Sequence, residues 1–326
     1  MTQATPTYSP ANPLTPVYNY HSTPQHNIER YFGKNLVPIN ANIPIARQIE
    51  GTSIDFTLNL KPVFDKTDNG FVEYKPSRFL VNAATKEKFG IVGKNWKPHQ
   101  PVDVLSTFQD WCNEQPELQL THVGQLDGGK IVYALADYPR VIEFGEDVTI
   151  AKVLLSNFNK LGFSTRVDLF TYRIVCRNGM TVRSKENSIR LNHTDKSDVG
   201  DRLTNSLNQL HKSFAGYQKT MQQLTEVSMS KQEAQALLIK NFGDPDKSME
   251  DQPQMVWAIA QLFEGKAQGS EYLSAYQTAY GLLQSTTEYL NHHSRQTKTH
   301  LSSVLYGNKN NSAQKMMQSL STTYLR

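Results

Sequence analysis

The sequence of 326 residues predicts an α+β fold, an antiparallel β-rich body followed by an all-helical C-terminal part. Up to about residue 195, apolar residues alternate with polar ones or form short β-branched and aromatic runs bounded by Gly, Pro and Asn. Beyond it they recur at steps of three and four, as in amphipathic helices. Because strand and helix patterns do not alternate, a parallel nucleotide-binding sheet is not expected. We therefore divide the chain into an N-terminal arm (1–50), a β-rich body with one helix (51–195) and a helical part with a basic tail (196–326).

The N-terminal arm is predicted from composition. Its first 25 residues are mostly Pro, Thr, Asn, Tyr and Ser, and seven of the fifteen prolines fall within the first fifty residues. Such a segment has too little apolar surface to offset the entropy lost on ordering. We expect a flexible arm that proteases remove at or before about Glu50. Protection on self-association would instead indicate a homo-oligomer formed by arm exchange.

The body is predicted to contain strands and one helix. Alternating apolar and polar residues predict the first strand over 54–60, and Val104, Leu105 and Phe108 recur at helical spacing within a helix over 102–113. Asp127-Gly128-Gly129 has the chemistry of a hairpin loop. Further strands are expected at 78–83, 88–92, 118–123, 130–136, 140–144 and 148–156.

Residues 165–194 combine strand-forming residues, a turn signal and positive charge. A strand over 167–176, a turn at Asn178-Gly179, a return over 180–182 and a short strand over 188–193 are expected. Six basic residues against two acidic ones give a local net charge of +4, equal to that of the whole protein. The basic residues are Arg166, Arg173, Arg177, Arg183, Lys185 and Arg190. They predict either an anion-binding sheet face whose guanidinium groups meet successive phosphates, or a solvated face whose arginines cover apolar neighbours.

The loop over 93–101 adds Lys94, Trp96 and Lys97 to this basic segment. A Trp between lysines either stacks on a nucleic-acid base or fills the core at the base of its loop. Together with Phe170 and Tyr172 on the predicted sheet, it favours a single strand, whose backbone follows the charges while its bases stack.

Composition sets the class of protein. No apolar run approaches the roughly 18 residues of a membrane span, and the start of the sequence does not resemble a signal peptide.

Cys112 and Cys176 do not make a disulfide framework and lack metal-ligand spacing, which fits a reducing cytoplasm. A nucleophile, base and orienter formed by Cys176, His193 and Asp195 is disfavoured, because a Cys in an apolar strand is usually inert. No phosphate-loop pattern is present, so no cofactor is expected.

The helical part ends in a basic tail. An apolar stripe over 199–224 predicts a long helix capped by Ser197 or Asp198, and Ser230 with Glu233 makes a capping box for a second helix, ending near Gly243. An acidic linker over 244–253 precedes helices expected at 254–264, 270–293 and 301–306, and from 312. Residues 289–326 contain no acid and carry a net charge of +5. The basic residues of this tail are Arg295, Lys298, Lys309, Lys315 and Arg326. Positive charge concentrated in this tail and in residues 165–194 suits contact with a polyanion.

Five segments carry a resemblance to a known family. They are Ser77-Arg78 ahead of KEKFGIVGKNWKPHQ, LDGGKIVYALA from Leu126, YRIVCRNGM from Tyr172, His193-Thr194, and QTAYGLLQSTTEYLNHH from Gln277. Together they resemble the phage- and plasmid-encoded family called domain of unknown function 932, over about residues 54–320. In the last segment, Gln284 replaces the Asn usual in that family and Asn291 the usual Asp. The family pattern is kept at Thr278, Tyr280, Gly281, Thr287, Glu288, Tyr289 and His292. The resemblance implies a mobile-element setting in a bacterial host and brings no established catalytic residues.

On a helix, the polar residues of this last segment lie along one face and form either a buried hydrogen-bond network or a site. This polar stripe consists of Tyr280, Gln284, Thr287, Glu288, Asn291 and His292. Glu288 and His292 have the four-residue spacing of two metal ligands, but no third ligand is identifiable, so no metal is expected.

Three functions follow from these patterns. The leading hypothesis is a non-enzymatic nucleic-acid-binding protein of a phage or plasmid, an accessory of recombination or replication that binds single-stranded DNA. The alternatives are an enzyme acting on nucleic acid or nucleotides through Glu288 and His292, and a phage structural or host-interaction protein. An absence of helix-turn-helix and zinc-finger patterns argues against reading duplex sequence through the major groove.

Overall fold

The computed structural model describes residues 7–8, 16–17, 28–33, 36–182, 189–193, 203 and 207–325, and it confirms the predicted α+β fold class. Antiparallel sheets occupy the N-terminal two-thirds and helices the C-terminal region. The predicted arm is too long, because the chain is ordered well before residue 50: Ile45 and Ile49 are fully buried. Most of the first 27 residues lie outside the described part, and so does the predicted helix cap at Ser197 or Asp198.

Twelve strands and nine α-helices are described. The strands are β1 (Thr7–Tyr8), β2 (Pro16–Val17), β3 (Leu36–Pro38), β4 (Leu58–Thr67), β5 (Gly70–Asn82), β6 (Lys88–Gly93), β7 (Gln119–Leu126), β8 (Ile131–Phe144), β9 (Asp147–Phe158), β10 (Thr165–Arg173), β11 (Asn178–Val182) and β12 (Ile189–Leu191). The helices are α1 (Ile28–Phe32), α2 (Ile45–Gln48), α3 (Pro101–Glu114), α4 (Leu207–Thr225), α5 (Lys231–Phe242), α6 (Gln254–Gln261), α7 (Ala279–Glu288), α8 (His300–Tyr306) and α9 (Asn308–Tyr324). None of them is long and apolar enough to cross a membrane.

A seven-stranded antiparallel sheet forms the centre of the fold. Its order is β11-β10-β9-β8-β7-β3, and β12 also pairs with β10. β11 pairs with the C-terminal half of β10 and β12 with its N-terminal half, so the two short strands share one edge of β10. A second sheet has the order β4-β5-β6, and β1 pairs with β2.

The hairpin between β10 and β11 does not turn at Asn178-Gly179. Its turn spans residues 174–177, with Arg177 at a φ of 56°, and Asn178 already pairs with Arg173. The Asn-Gly pair serves tertiary packing instead. A Cβ added to Gly179 would lie 2.5 Å from the Tyr31 ring, and the Asn178 amide donates to the Gln284 carbonyl at 3.3 Å. A dipeptide that is typical of turns is therefore used where a helix approaches the sheet closely.

Both faces of the central sheet are covered. The larger core cluster joins one face to α3, α4 and α7, whereas a smaller cluster joins the other face to α1 and α8. Along β10, Val167 and Leu169 belong to the first cluster and Phe170 and Tyr172 to the second. All nine residues of β10 are buried. The prediction of a solvent-exposed sheet face is therefore wrong for β10, because helices from both ends of the sequence enclose it.

The helical part differs from prediction in where two helices begin and end. The capping box of Ser230 and Glu233 is present, as predicted. The helix predicted over 270–293 starts only at Ala279, after a run of turns, and Thr278 caps it by accepting a hydrogen bond from the Gly281 amide. α6 and α7 each continue into a π-helical turn, Leu262–Lys266 and Tyr289–His293. Such turns carry one extra residue per turn, which apolar periodicity does not reveal.

Candidate nucleic-acid-binding site

Arg173, predicted to contact phosphate, lies in the core. Its guanidinium forms a bidentate ion pair with Asp147, in which the Nε–Oδ1 and Nη2–Oδ2 distances are both 2.7 Å. The remaining donors reach the carbonyls of Gln268 and Gly269, both at 3.2 Å, and the sulfur of Cys176. The Arg173 side chain is 2% exposed. It therefore links the turns before α7 to the sheet and does not reach the surface, where a ligand would bind.

Arg166 is also enclosed, on the opposite face of β10. Its Nε lies 2.6 Å from a carboxylate oxygen of Asp168, and its guanidinium carbon lies 4.9 Å from the Phe158 ring centroid and 5.1 Å from that of Tyr306. Arg166 thus covers apolar neighbours, but its guanidinium is buried and does not lie in water as a solvated sheet face would require. In this structure Arg166 is not positioned to meet a phosphate.

Trp96 fills the core at the base of its loop. It is 6% exposed and stacks on His193, with ring centroids 4.2 Å apart, and His193 stacks in turn on His99 at the same distance. Burial lowers the pKa of His193 to about 4. Phe170 and Tyr172 are buried as well. The three aromatic side chains predicted to stack on bases are therefore enclosed, because each is part of the packing around the central sheet.

The remaining predicted basic residues divide into two groups. Arg177, Arg190, Lys94 and Lys97 are exposed at loops or at the sheet edge, whereas Arg183 and Lys185 lie outside the described residues. Cys176 and His193 are near opposite ends of β10, so the structure does not bring them together, and Asp195 is not described. Burial raises the pKa of the Cys176 thiol to about 11.

Most of the polar stripe is buried between α7 and the sheet. Tyr280, Gln284 and Thr287 face β10 and β11, where the Asn178 amide reaches the Gln284 carbonyl and lies 3.4 Å from the Thr287 hydroxyl. Burial raises the pKa of Tyr280 well above its usual range. Beside them is a cavity of about 10 Å³, roughly the space for one water molecule. This part of the stripe is a buried hydrogen-bond network.

Glu288 does not pair with His292. Because the segment after it is π-helical, its partner is His293, five residues on, with Nε2 3.5 Å from Oε1. The Glu288 carboxylate also accepts a hydrogen bond from the Gln268 amide, and burial raises its pKa. Within the described residues, no three His, Cys, Asp or Glu side chains are grouped so that they could hold a metal ion.

The end of the stripe leads to a surface pocket of about 340 Å³, which we name the C-terminal pocket. It lies between α1, the π-helical turn after α7, and α8. Its lining residues are Tyr31, Asn291, His292, Gln296, His300, Leu301 and Val304. The stripe thus has a buried section that secures α7 and an open section at this pocket.

A chain of hydrogen bonds holds one wall of the pocket. The Lys309 ammonium donates to Nδ1 of His300, whose Nε2 lies 2.9 Å from the Asn291 carbonyl. Because an ammonium only donates, Nδ1 is the acceptor and the neutral ring carries its proton on Nε2. The Asn291 side chain in turn accepts from the Tyr31 hydroxyl at 2.7 Å. Burial and the Lys309 charge lower the pKa of His300, which favours this neutral form.

Positive charge lies beside the pocket, exposed at Arg177, Arg295 and Lys298 and half-buried at Lys309. Arg177, the last residue of the β10–β11 turn, interacts electrostatically with His292, whose ring hydrogen-bonds to the backbone of Cys176 and Arg177. The loop before α8 carries Arg295 and Lys298, both exposed, and the Arg295 carbonyl accepts from Lys309 at 2.9 Å. We name Arg177, Arg295, Lys298 and Lys309 the basic rim. It brings one residue of the central segment together with three of the tail.

The sequence matches one known family over most of its length. A family model described as Domain of unknown function (DUF932) matches residues 88–320, more than half of the chain. The chain belongs to the DUF932 family. Comparisons with curated proteins and with solved structures gave no match. The DUF932 region contains the basic rim and every lining residue of the C-terminal pocket except Tyr31, and it begins after the β4–β5 hairpin.

Several residues of the C-terminal pocket could not be identified from the sequence. Tyr31 lies in the segment predicted to be a flexible arm, and its partner Asn291 is 260 positions away. Gln296 and His300 lie in the acid-free tail, and Leu301 and Val304 lie in the helix predicted over 301–306, but no local pattern connects these residues to a site. The one usable signal was the cluster of His292, His293 and His300 among basic residues without any acid.

Proposed function

We propose that this DUF932 protein is a non-enzymatic protein that binds single-stranded nucleic acid at the C-terminal pocket and its basic rim. The observation that carries the proposal is the position of Arg177. The hairpin turn places it beside His292, so the basic central segment and the acid-free tail form one surface. This surface replaces the sheet face, whose Arg166 and Arg173 are enclosed.

The basic rim provides the contact with phosphates. Arg177, Arg295 and Lys298 are exposed, and no Asp or Glu occurs from residue 289 onward to neutralise the surface from within the tail. Flexible cationic side chains at successive positions follow a phosphodiester backbone without reading its sequence. Binding of this kind releases counterions and weakens steeply with salt.

The pocket provides room for one base. Its volume is about 340 Å³, and its lining includes the apolar side chains of Leu301 and Val304 and the polar groups of His292 and Gln296. A base enters such a pocket only when it is unpaired, since in a duplex its edge and faces are occupied. This requirement favours a single strand over a duplex.

The polar stripe supports a binding role over a catalytic one. Glu288 does not line the pocket, is 3% exposed and is held by the Gln268 amide. His300 has both ring nitrogens engaged, by Lys309 and by the Asn291 carbonyl. The family resemblance adds a phage or plasmid setting in a bacterial cytoplasm, where a single-strand binder acts as an accessory of recombination or replication.

The test is fluorescence anisotropy of labelled oligonucleotides, titrated at several salt concentrations. We expect the protein to bind single-stranded DNA or RNA more tightly than a duplex of equal length. The triple variant Arg177→Ala, Arg295→Ala and Lys298→Ala should reduce the slope of log affinity against log salt by up to about 2, at roughly 0.7 per phosphate contact on a single strand.

A charge-matched control uses three exposed lysines on the other side of the sheet. Lys212 and Lys219 lie on α4 and Lys240 on α5, helices that belong to the opposite core cluster from α8. Replacing these three by Ala should leave the slope unchanged. Absence of binding at low salt, or an equal loss in the rim and control variants, would contradict the proposal.

A further inference from the structure

The hairpin of β4 and β5 extends beyond the sheet that holds it. β5 pairs with β6 only from Ser77 onward, so among the described strands the segment over 62–76 is a two-stranded ribbon. At its tip, Phe64 lies opposite Glu73 and Lys66 opposite Phe71. Directly opposed residues in an antiparallel pair point to the same side, as do residues two apart in a strand. Phe64, Lys66, Phe71 and Glu73 therefore share one face, which we name the ribbon face.

The ribbon face is unusually apolar for an exposed surface. Phe71 is 75% exposed and Phe64 is 53% exposed, whereas most other aromatic side chains of the described chain are buried. A two-stranded hairpin alone is only marginally stable in water. Large apolar side chains exposed together, as Phe64 and Phe71 are on this face, are typical of a surface that another molecule covers.

The charge of the ribbon argues against a polyanion as that molecule. Residues 58–76 contain three lysines, three acidic residues and no arginine, so their net charge is zero. A neutral surface gains little from counterion release, the main source of sequence-independent nucleic-acid affinity. The ribbon also lies outside the DUF932 region that contains the basic rim.

The arrangement of charges is self-complementary. Lys66 and Glu73 stand on the same face as the two Phe residues, and Glu73 also lies 3.4 Å from Arg78 of its own chain. A two-fold axis through this face brings Lys66 of one copy to Glu73 of the other and packs Phe64 and Phe71 against their equivalents. A two-fold interface needs such a patch, complementary to itself.

We propose that the ribbon face forms a homodimer contact, in which two copies pack face to face about a two-fold axis. The proposal is independent of nucleic-acid binding, since it uses neither the pocket nor the basic rim. Phe64 and Phe71 supply the apolar centre, and the Lys66–Glu73 pairs set the relative orientation of the two copies.

Sedimentation equilibrium over a wide range of protein concentration tests the contact. The wild type should show a reversible dimer. The double variant Phe64→Ser and Phe71→Ser should raise the dissociation constant of this dimer at least tenfold. The control is Trp257→Ser with Tyr276→Ser, which removes two aromatic side chains that are 51% and 58% exposed elsewhere and should leave the dimer intact. Unchanged thermal unfolding of the monomer shows that each variant is folded.

A charge exchange separates self-association from binding to another partner. Lys66→Glu should weaken the dimer by setting two acids against each other, and adding Glu73→Lys should restore it, because the pair is then reversed in both copies. A wild type that stays monomeric at every concentration would overturn the proposal. So would a dimer unaffected by the Phe variants, or a monomer whose ribbon variants lose affinity for the oligonucleotide.

Discussion

Glu288 and His293 are joined across a π-helical turn, with Oε1 3.5 Å from Nε2. In a continuous α-helix the partner of Glu288 would be His292, four residues on. The extra residue in the turn instead frees His292 to face Arg177 and the C-terminal pocket. One local change of helical period therefore divides the polar stripe into a buried section and a section that opens onto the C-terminal pocket.

Glu288→Gln should stabilise the protein near neutral pH. Burial raises the pKa of Glu288 in the folded state, so the folded state binds this proton more readily than the unfolded state. The resulting stability is present at low pH and is lost as pH rises through the folded pKa. Gln cannot ionise and still accepts from the Gln268 amide. Urea unfolding should show a gain near neutral pH that disappears near pH about 4, where Glu is largely protonated in both states.

The same variant tests the role of Glu288 in function. Oligonucleotide affinity should equal that of the wild type, because Glu288 does not line the pocket. A large loss of binding or of any nucleic-acid-processing activity in the folded variant would return Glu288 to the site and favour the enzymatic alternative.

Asp147→Asn should be strongly destabilising. It leaves the Arg173 guanidinium buried without its counter-charge and also weakens the bond from the Ser274 hydroxyl, which lies 2.7 Å from Oδ2 of Asp147. Removing one partner of a buried ion pair destabilises a protein by about 3–5 kcal/mol. Urea unfolding of Asp147→Asn should show a loss of this size in the free energy of unfolding.

An exposed ion pair provides the matched control. Lys231 and Glu264 lie 2.8 Å apart with the lysine side chain 55% exposed. Lys231→Met should cost less than about 1 kcal/mol, because solvent screens the pair and already hydrates both partners. Equal losses of unfolding free energy in the two variants would show that the buried Arg173–Asp147 pair stabilises the protein no more than the exposed pair does.

Two glycine substitutions in helices should act in opposite directions. In α7, a Cβ at Gly281 would lie 1.8 Å from the Ala275 carbonyl oxygen, a backbone atom that cannot move aside. Gly281→Ala should therefore destabilise the protein, by about 1–3 kcal/mol. In α4, a Cβ at Gly216 meets nothing within 4 Å, so Gly216→Ala should stabilise the protein by about 0.5–1 kcal/mol. Thermal unfolding of both variants measures the contrast, and similar shifts would mean that α7 does not approach the loop closely.

His193 should make stability depend on pH. Burial between Trp96 and His99 lowers its pKa from 6.5 to about 4, so below pH 6.5 the unfolded state takes up a proton that the folded state does not. Stability should therefore fall as pH drops from 6.5 towards 4, by about 1.4 kcal/mol for each unit of pKa difference. His193→Phe keeps an aromatic ring in the stack and cannot ionise. Urea unfolding of this variant should be less sensitive to pH over that range, and an identical pH profile would contradict the prediction.

Patterns confined to one element were sufficient to predict much of the fold. The apolar stripe of α4 is buried at Leu210, Phe214 and Tyr217, as its spacing indicated, and the α5 capping box is formed by the two residues that predicted it. In these cases the determining contacts lie within one element or on one face of it. The alternation of polarity likewise predicted an antiparallel body.

The candidate site could not be predicted in this way, because its contacts join distant segments. Asp147 lies 26 residues before Arg173, and the carbonyls that complete the arginine's bonds lie 95 and 96 residues after it. A basic residue in a strand has the same local pattern whether it faces solvent or a buried carboxylate. Charge counting therefore located the basic region correctly along the sequence but did not separate Arg177 at the surface from Arg173 in the core.

The double covering of the central sheet determines how the chain can fold during synthesis. One face is closed by α1 and α8, which enter the sequence at residues 28 and 300, and the Ser156–Tyr306 contact spans 150 positions. On the ribosome, β8, β9 and β10 emerge long before α8, so the surface around Tyr133 and Phe158 stays open until residue 306 is released. Chains with such distant contacts fold slowly and expose apolar surface meanwhile. The packing of α8 onto the sheet thus ends the period in which this apolar surface is exposed on the nascent chain.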